Sequence, residues 1–195
     1  MARSFLILHG YEGSGPEHWQ SWLAGRLRAA GERVAYPDLP DPYNPLLPAW
    51  RAALAAQLRT LHGELTVVAH SLACILWLHH CDAPVLGDAR AVRVLLVAPP
   101  SIAGAPRPIR SFFPVALDPG RVAAAAEATR LVCAPDDPYC PEDAAAVYGD
   151  PLGLEVDVLA GAGHINPEAG YGPWPAAEAW CYGASAITSS RTAPG

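Results

Sequence analysis

The sequence predicts an α/β fold, a mostly parallel sheet of about six strands flanked by helices, and three observations carry that expectation. Short aliphatic and β-branched runs alternate along the chain with longer segments of helical periodicity. Each run is short and nearly all apolar, as expected for strands buried on both faces. The 21 prolines and 17 glycines cluster between the runs and mark loops.

In chain order, the strand runs lie at residues 5–8, 33–36, 65–69, 92–98, 130–134 and 155–159. The first helix is expected over 18–30, where Trp19, Trp22, Leu23 and Leu27 recur at helical spacing and Gly31 supplies a stop. A second is expected over 47–61, with Trp50, Leu54 and Leu58 on one face, and a third over 72–81. Shorter helices are expected at 143–148 and 176–182, and the alanine-rich run 122–128 also reads as helical. A chain of 195 residues fits one domain, expected over 1–184, with the polar segment 185–195 as a flexible C-terminal tail.

Charge and hydropathy narrow the function. A net charge of −6, with no cluster of basic residues to neutralise a run of phosphates, argues against a nucleic-acid partner. The apolar runs are strand-sized, far short of the ~20 residues of a membrane-spanning helix, so no membrane partner is expected. The N-terminal run is too short for a signal peptide and lacks a small-residue cleavage site, so it reads as the first strand of a cytoplasmic protein. Cys74, Cys81, Cys133, Cys140 and Cys181 match neither a disulfide framework nor a zinc spacing, and read as structural thiols. His79 and His80 point about 100° apart on a helix and cannot share one ion, so neither metal nor cofactor is expected.

The chemistry-bearing residues gather where strands end. Ala69-His70-Ser71-Leu72-Ala73 joins the third strand to the third helix. That order describes a nucleophile elbow, a sharp turn that lifts a serine hydroxyl above the sheet and aims the next backbone N–H at a developing oxyanion. Small residues two before and two after the serine let strand and helix approach; here both are alanine where glycine is usual. Asp136-Asp137-Pro138 follows the fifth strand, and Gly163-His164-Ile165 follows the sixth. Serine, then acid, then histidine is the chain order of an α/β-hydrolase, with Ser71 as nucleophile, His164 as general base and an aspartate to orient it. Asp137 is the expected partner, and Asp136 caps or supports its loop. The oxyanion donors are expected to be the backbone N–H groups of Leu72 and of Tyr11, in the loop after the first strand. His9 braces that loop, and His70 packs and hydrogen-bonds. Tyr11, Phe112, Phe113 and Trp174 are candidate pocket walls and Trp19 a core residue. Arg107 and Arg110 flank the same region.

These residues resemble the retinoblastoma-binding protein 9 / YdeN family of small α/β-hydrolases. The resemblance runs over nearly the whole chain: His18-Trp19-Gln20-Ser21-Trp22-Leu23, Pro37-Asp38-Leu39-Pro40-Asp41-Pro42 before Trp50, the elbow at Ser71, Asp136-Asp137-Pro138-Tyr139-Cys140-Pro141, and Gly163-His164-Ile165-Asn166 with residues 170–175. The last two stretches are the most specific. The resemblance implies a compact hydrolase core with little or no lid and the set Ser71, Asp137 and His164. Ala69, Ala73 and an early polar C-terminus depart from the family pattern.

The expected activity is hydrolysis of a small-molecule ester or amide through an acyl-enzyme on Ser71, by a monomer or small homo-oligomer. Two rivals remain: acyl transfer, cyclisation or another non-hydrolytic biosynthetic reaction at the same site, and a binding protein on a hydrolase shell without turnover.

Overall fold

In the computed structural model, which describes residues 2–83, 90–103 and 106–187, six strands pair in parallel. They are β1 (Arg3–Leu8), β2 (Arg33–Ala35), β3 (Glu64–His70), β4 (Ala91–Val97), β5 (Ala126–Cys133) and β6 (Glu155–Val158). Their order across the sheet is β2-β1-β3-β4-β5-β6. The architecture is the predicted one.

Helices cover both faces, which is why the strands are apolar on successive residues. On one face Leu6, Leu8, Val67, Ala69, Val94, Leu96 and Leu131 pack under α2 (Leu47–Leu58), α3 (Leu72–Asp82) and α4 (Pro119–Ala125). The residues between them, including Phe5, Ile7, Val68, Leu95 and Val132, face α1 (Trp19–Ala29) and α6 (Pro175–Cys181) on the other. Helix α3 is buried along nearly its whole length, from Leu72 to Leu78 and at His80 and Cys81, so the turn that starts it is fixed deep in the molecule.

The alanine-rich run resolves differently from its prediction. Helix α4 starts at Pro119, with the Asp118 carboxylate capping the Arg121 N–H, and ends at Ala125. Ala126 and Ala128 pair with Ala91 and Arg93 as part of β5. Alanine's helix preference is a few tenths of a kcal/mol, and a ladder of sheet hydrogen bonds overrides it. The 143–148 helix becomes a π-helical turn over Ala145–Gly149 that runs into α5 (Asp150–Leu152). Within the segment expected to be a free tail, Ile187 is buried and its N–H donates to Asp157 at 2.7 Å. Residues 188–195 of that segment lie outside the described residues. All five cysteines are buried free thiols. Among the described residues no helix is long and apolar enough to cross a membrane.

Strand β1 has β2 on one side and β3 on the other, so successive connections leave it in opposite directions. The carboxyl ends of β1 and β3 then splay apart and leave a crevice. The pairing Leu8 with Ala69 sets Gly10 and Ser71, each two residues further on, side by side at that crevice.

Candidate active site

Ser71 occupies the turn between β3 and α3 with φ 55° and ψ −124°, a backbone conformation that costs a non-glycine residue about 1–3 kcal/mol. Its N–H donates to Val97 on β4 at 2.8 Å, and its carbonyl accepts from the Cys74 N–H at 2.9 Å. The sheet and the helix thus hold the strained residue from both sides. Ala69 and Ala73, at the positions usually taken by glycine, are fully buried. Space is tightest across the crevice: a Cβ on Gly10 would lie 2.7 Å from the Ser71 Cβ and 3.2 Å from its Oγ. Glycine is needed there because the β1 loop runs directly over the serine.

Asp137 and His164 are presented by the loops after β5 and β6. The His164 Nδ1–H donates to both Asp137 oxygens, at 2.8 and 3.0 Å, which leaves Nε2 free to accept the Ser71 hydroxyl at 3.0 Å. Asp137 and His164 are both buried. Asp137 also accepts the Tyr139 N–H at 2.9 Å, so its carboxylate is aimed before any histidine is considered. Asp136 turns away and accepts the N–H groups of Gly161 and Gly163, at 3.1 and 3.0 Å, bracing the histidine's own loop.

That loop is strained as well. Gly163 and Ile165, on either side of His164, have φ of 52° and 49°, and a β-branched residue rarely adopts the latter. Two buried side chains hold it. The Trp19 indole N–H donates to the Ile165 carbonyl at 2.8 Å, and the His70 Nε2–H donates to the His164 carbonyl at 2.9 Å. Burial pushes the His70 imidazole well below its ordinary pKa, aided by the neighbouring His18 and His164, so it stays a neutral donor. On the opposite wall the Leu39 N–H donates to His9 Nε2 and His9 Nδ1–H donates to the Gly10 carbonyl, both at 2.8 Å. Burial lowers the His9 pKa too.

The three side chains open into a cleft of about 530 Å³, bordered by Ser71, Leu72, His164, Tyr11, His18 and His70 at its base and by Tyr43, Tyr139, Ile109 and several prolines further out. The Leu72 N–H is the first of helix α3 and has no intrahelical acceptor, so it is available to an anion beside Ser71. Three expected walls lie elsewhere. Phe112 is fully buried edge-on against Trp50 at 5.2 Å, Phe113 packs half-buried against the same core, and Trp174 is fully buried between Trp19 and Tyr171. Each ring buries more apolar surface in the core than an open cleft offers. Trp19 is core, as predicted. Arg107 and Arg110 do not border the cleft, although Pro108 and Ile109 between them do. His18, Tyr43 and Tyr139 were not expected there; Tyr139, whose ring lies 4.5 Å from that of His164, follows Asp137 by two residues, which was the available signal.

A family model for serine hydrolases matches residues 5–182. The chain belongs to the serine hydrolase family. A 74-residue stretch is 39% identical to YdeN of Bacillus subtilis (strain 168), covering 38% of this chain and 39% of that relative's length. The crystal structure of the B. subtilis ydeN gene product superposes with a TM-score of 0.81 at 24% identity, over 93% of this chain and 97% of that one. A YdeN-like protein of Pectobacterium atrosepticum follows at 0.72 and 23%, over 92% and 88%. At these identities the two structures establish the shared α/β-hydrolase fold.

Proposed function

We propose that this member of the serine hydrolase family cleaves a carboxylic ester or amide through an acyl-enzyme on Ser71. The observation that carries the reading is the hydrogen-bonded series Ser71 Oγ–H to His164 Nε2, at 3.0 Å, and His164 Nδ1–H to Asp137, at 2.8 Å, opening into the cleft.

A serine hydroxyl is a weak nucleophile until a base takes its proton. His164 accepts that proton at Nε2 as Oγ attacks the substrate carbonyl. Asp137 fixes the tautomer and stabilises the imidazolium that forms. The carbonyl oxygen, now carrying negative charge, is met by the backbone N–H of Leu72 and, on the loop beyond Gly10, that of Tyr11. His164 then returns the proton to the departing alcohol or amine. Water, activated by the same histidine, attacks the acyl-serine and releases the acid. No cofactor is required. In this reading residues 1–184 form one catalytic domain, working in the cytoplasm.

Intact-protein mass spectrometry after exposure to a fluorophosphonate tests it. The wild type is expected to gain a single adduct that Ser71→Ala does not, and the variant to lose turnover of short p-nitrophenyl esters by on the order of 10³-fold or more. An unlabelled wild type, or a labelled Ser71→Ala, overturns the assignment. Labelling without release of free acid would shift the reading to acyl transfer.

A further inference from the structure

His18 stands in the cleft without a task in the reaction just described. It precedes α1 as its N-cap, and its Nδ1 accepts the Gln20 N–H at 3.2 Å. Histidine is an uncommon cap, since Ser, Thr, Asp and Asn fill that role better. Because Nδ1 is the acceptor, the proton of the neutral ring sits on Nε2. That nitrogen has no hydrogen-bond partner among the described residues, while the side chain is 95% buried and borders the same cleft as Ser71 and His164.

The ring cannot swing away. It meets the His70 ring edge-on with centroids 4.9 Å apart and lies tilted against Trp19 at 5.6 Å, and His70 in turn lies 4.9 Å from His164. Nor does it become a cation: burial, with His164 and His9 nearby, pushes its pKa down to about 3. The cleft therefore contains, at His18, an uncharged side-chain N–H within two ring contacts of the reacting histidine. Nε2 itself opens onto the cleft, where water meets it, and a substrate that displaces that water leaves the N–H desolvated unless it supplies an acceptor.

We propose that His18 is a substrate-binding residue whose Nε2–H donates to a second oxygen of the substrate, selecting esters or amides that carry a neutral carbonyl, ether or hydroxyl acceptor close to the scissile bond. The inference rests on the hydrolase reading and names its substrate class. A site built around such a donor discriminates against an analogue that lacks the acceptor, because the N–H is then desolvated with nothing to meet it. Plain alkyl esters still react, but as the poorer member of each matched pair.

The test uses two isosteric pairs. For the acyl arm these are p-nitrophenyl methoxyacetate and p-nitrophenyl butanoate; for the leaving arm, the methoxyethyl and butyl thioesters of butanoic acid. The readout is the ratio of kcat/KM within each pair, compared between wild type and variants, so that intrinsic reactivity cancels. In His18→Phe, which keeps a packed aromatic ring without the donor, the ratio favouring the oxygen-bearing member should fall about fivefold in at least one pair. His18→Asn keeps a side-chain acceptor for the Gln20 N–H but is too short to place a donor at Nε2, and should show the same fall with α1 intact. If both ratios are unchanged in both variants, or if His18→Asn keeps the wild-type ratio, His18 is a helix cap only and the proposal fails. If His18→Phe does not fold, His18→Asn alone decides. Turnover of butanoate that depends on Ser71 tests the hydrolase reading separately, so the two can fail independently.

Discussion

Behind the cleft, His70 and Trp19 each spend a polar atom on the main chain of the loop that carries His164, and His9 spends both ring nitrogens on the Gly10 and Leu39 main chain, whereas at the mouth Tyr43 and Tyr139 stand 66% and 57% exposed. The base holds positive φ at Ser71 and Ile165 by buried contacts from several sides, whereas at the mouth the positive φ of Glu12 and Asp41 sits in exposed turns closed by single backbone hydrogen bonds. Strain at a buried position persists where several contacts agree on it. The proposed chemistry is thus pre-organised by the inner wall, while the rim is free to vary with the substrate. Substitutions in the inner wall should act on kcat, and those at the rim on KM.

The sharpest way to break this division lies in the two adjacent aspartates. Asp137→Asn replaces the acceptor for His164 Nδ1–H with an amide that permits the other tautomer, in which Nε2 carries the proton and cannot take one from Ser71. Turnover should fall by on the order of 10³-fold. Asp136→Asn keeps an acceptor oxygen for one of the Gly161 and Gly163 N–H groups and loses the other bond, and should cost about tenfold or less. Steady-state kinetics on one activated ester compares them, and the reverse ranking would reassign the orienting acid.

Gly10→Ala tests the wall without altering any polar group. Its new Cβ would sit 2.7 Å from the Ser71 Cβ and 3.2 Å from the His70 carbonyl oxygen, neither of which can give way without moving backbone, so loop or elbow must shift. A displacement near 1 Å at the reacting atoms costs about 10²-fold. The loss is expected in kcat with KM little changed. A fully active Gly10→Ala would mean that the elbow is less constrained than its geometry indicates.

How much of this was legible follows the same division. The central strands could be read because a strand covered on both faces leaves a continuous apolar run, and the edge strands β2 and β6, which are part-exposed, because short β-branched runs stand between turn residues. The elbow, Asp137 and His164 could be read because each follows such a run at the same sheet edge. The α4 to β5 boundary could not, since alanine fits either element. The rim could not either: Phe112 and Trp174 turn into the core because Trp50 and Trp19, far away in sequence, offer them edge-on partners. Nothing local to a loop aromatic says which way its ring will turn. His18 belongs to a readable motif, yet its free Nε2 depends on the Gln20 N–H occupying Nδ1, a contact visible only in three dimensions.

The smallest effect concerns stability instead of rate, and it again separates wall from rim. Burial lowers the pKa of His18 to about 3 and lowers those of His9 and His70 around the inner wall, and away from the cleft, on α3, it lowers that of His80 to about 4. In the unfolded chain an imidazole titrates near 6.5. Between the folded and unfolded values the unfolded state binds protons that the folded state does not, so stability rises with pH across that window. The histidines' contribution is complete above about pH 6.5 and is lost as the solution is acidified below it, by up to ~1.4 kcal/mol per pH unit for each fully buried ring. Carboxylates titrate lower, so the interval from about pH 7 to 5 isolates the histidines. Urea midpoints should fall steadily over that interval, and less steeply in His18→Asn, which removes one titrating ring while keeping the cap. A midpoint flat from pH 7 to 5 would mean that these imidazoles accept protons without unfolding, and that the inner wall is wetter and less rigid than the rim comparison requires.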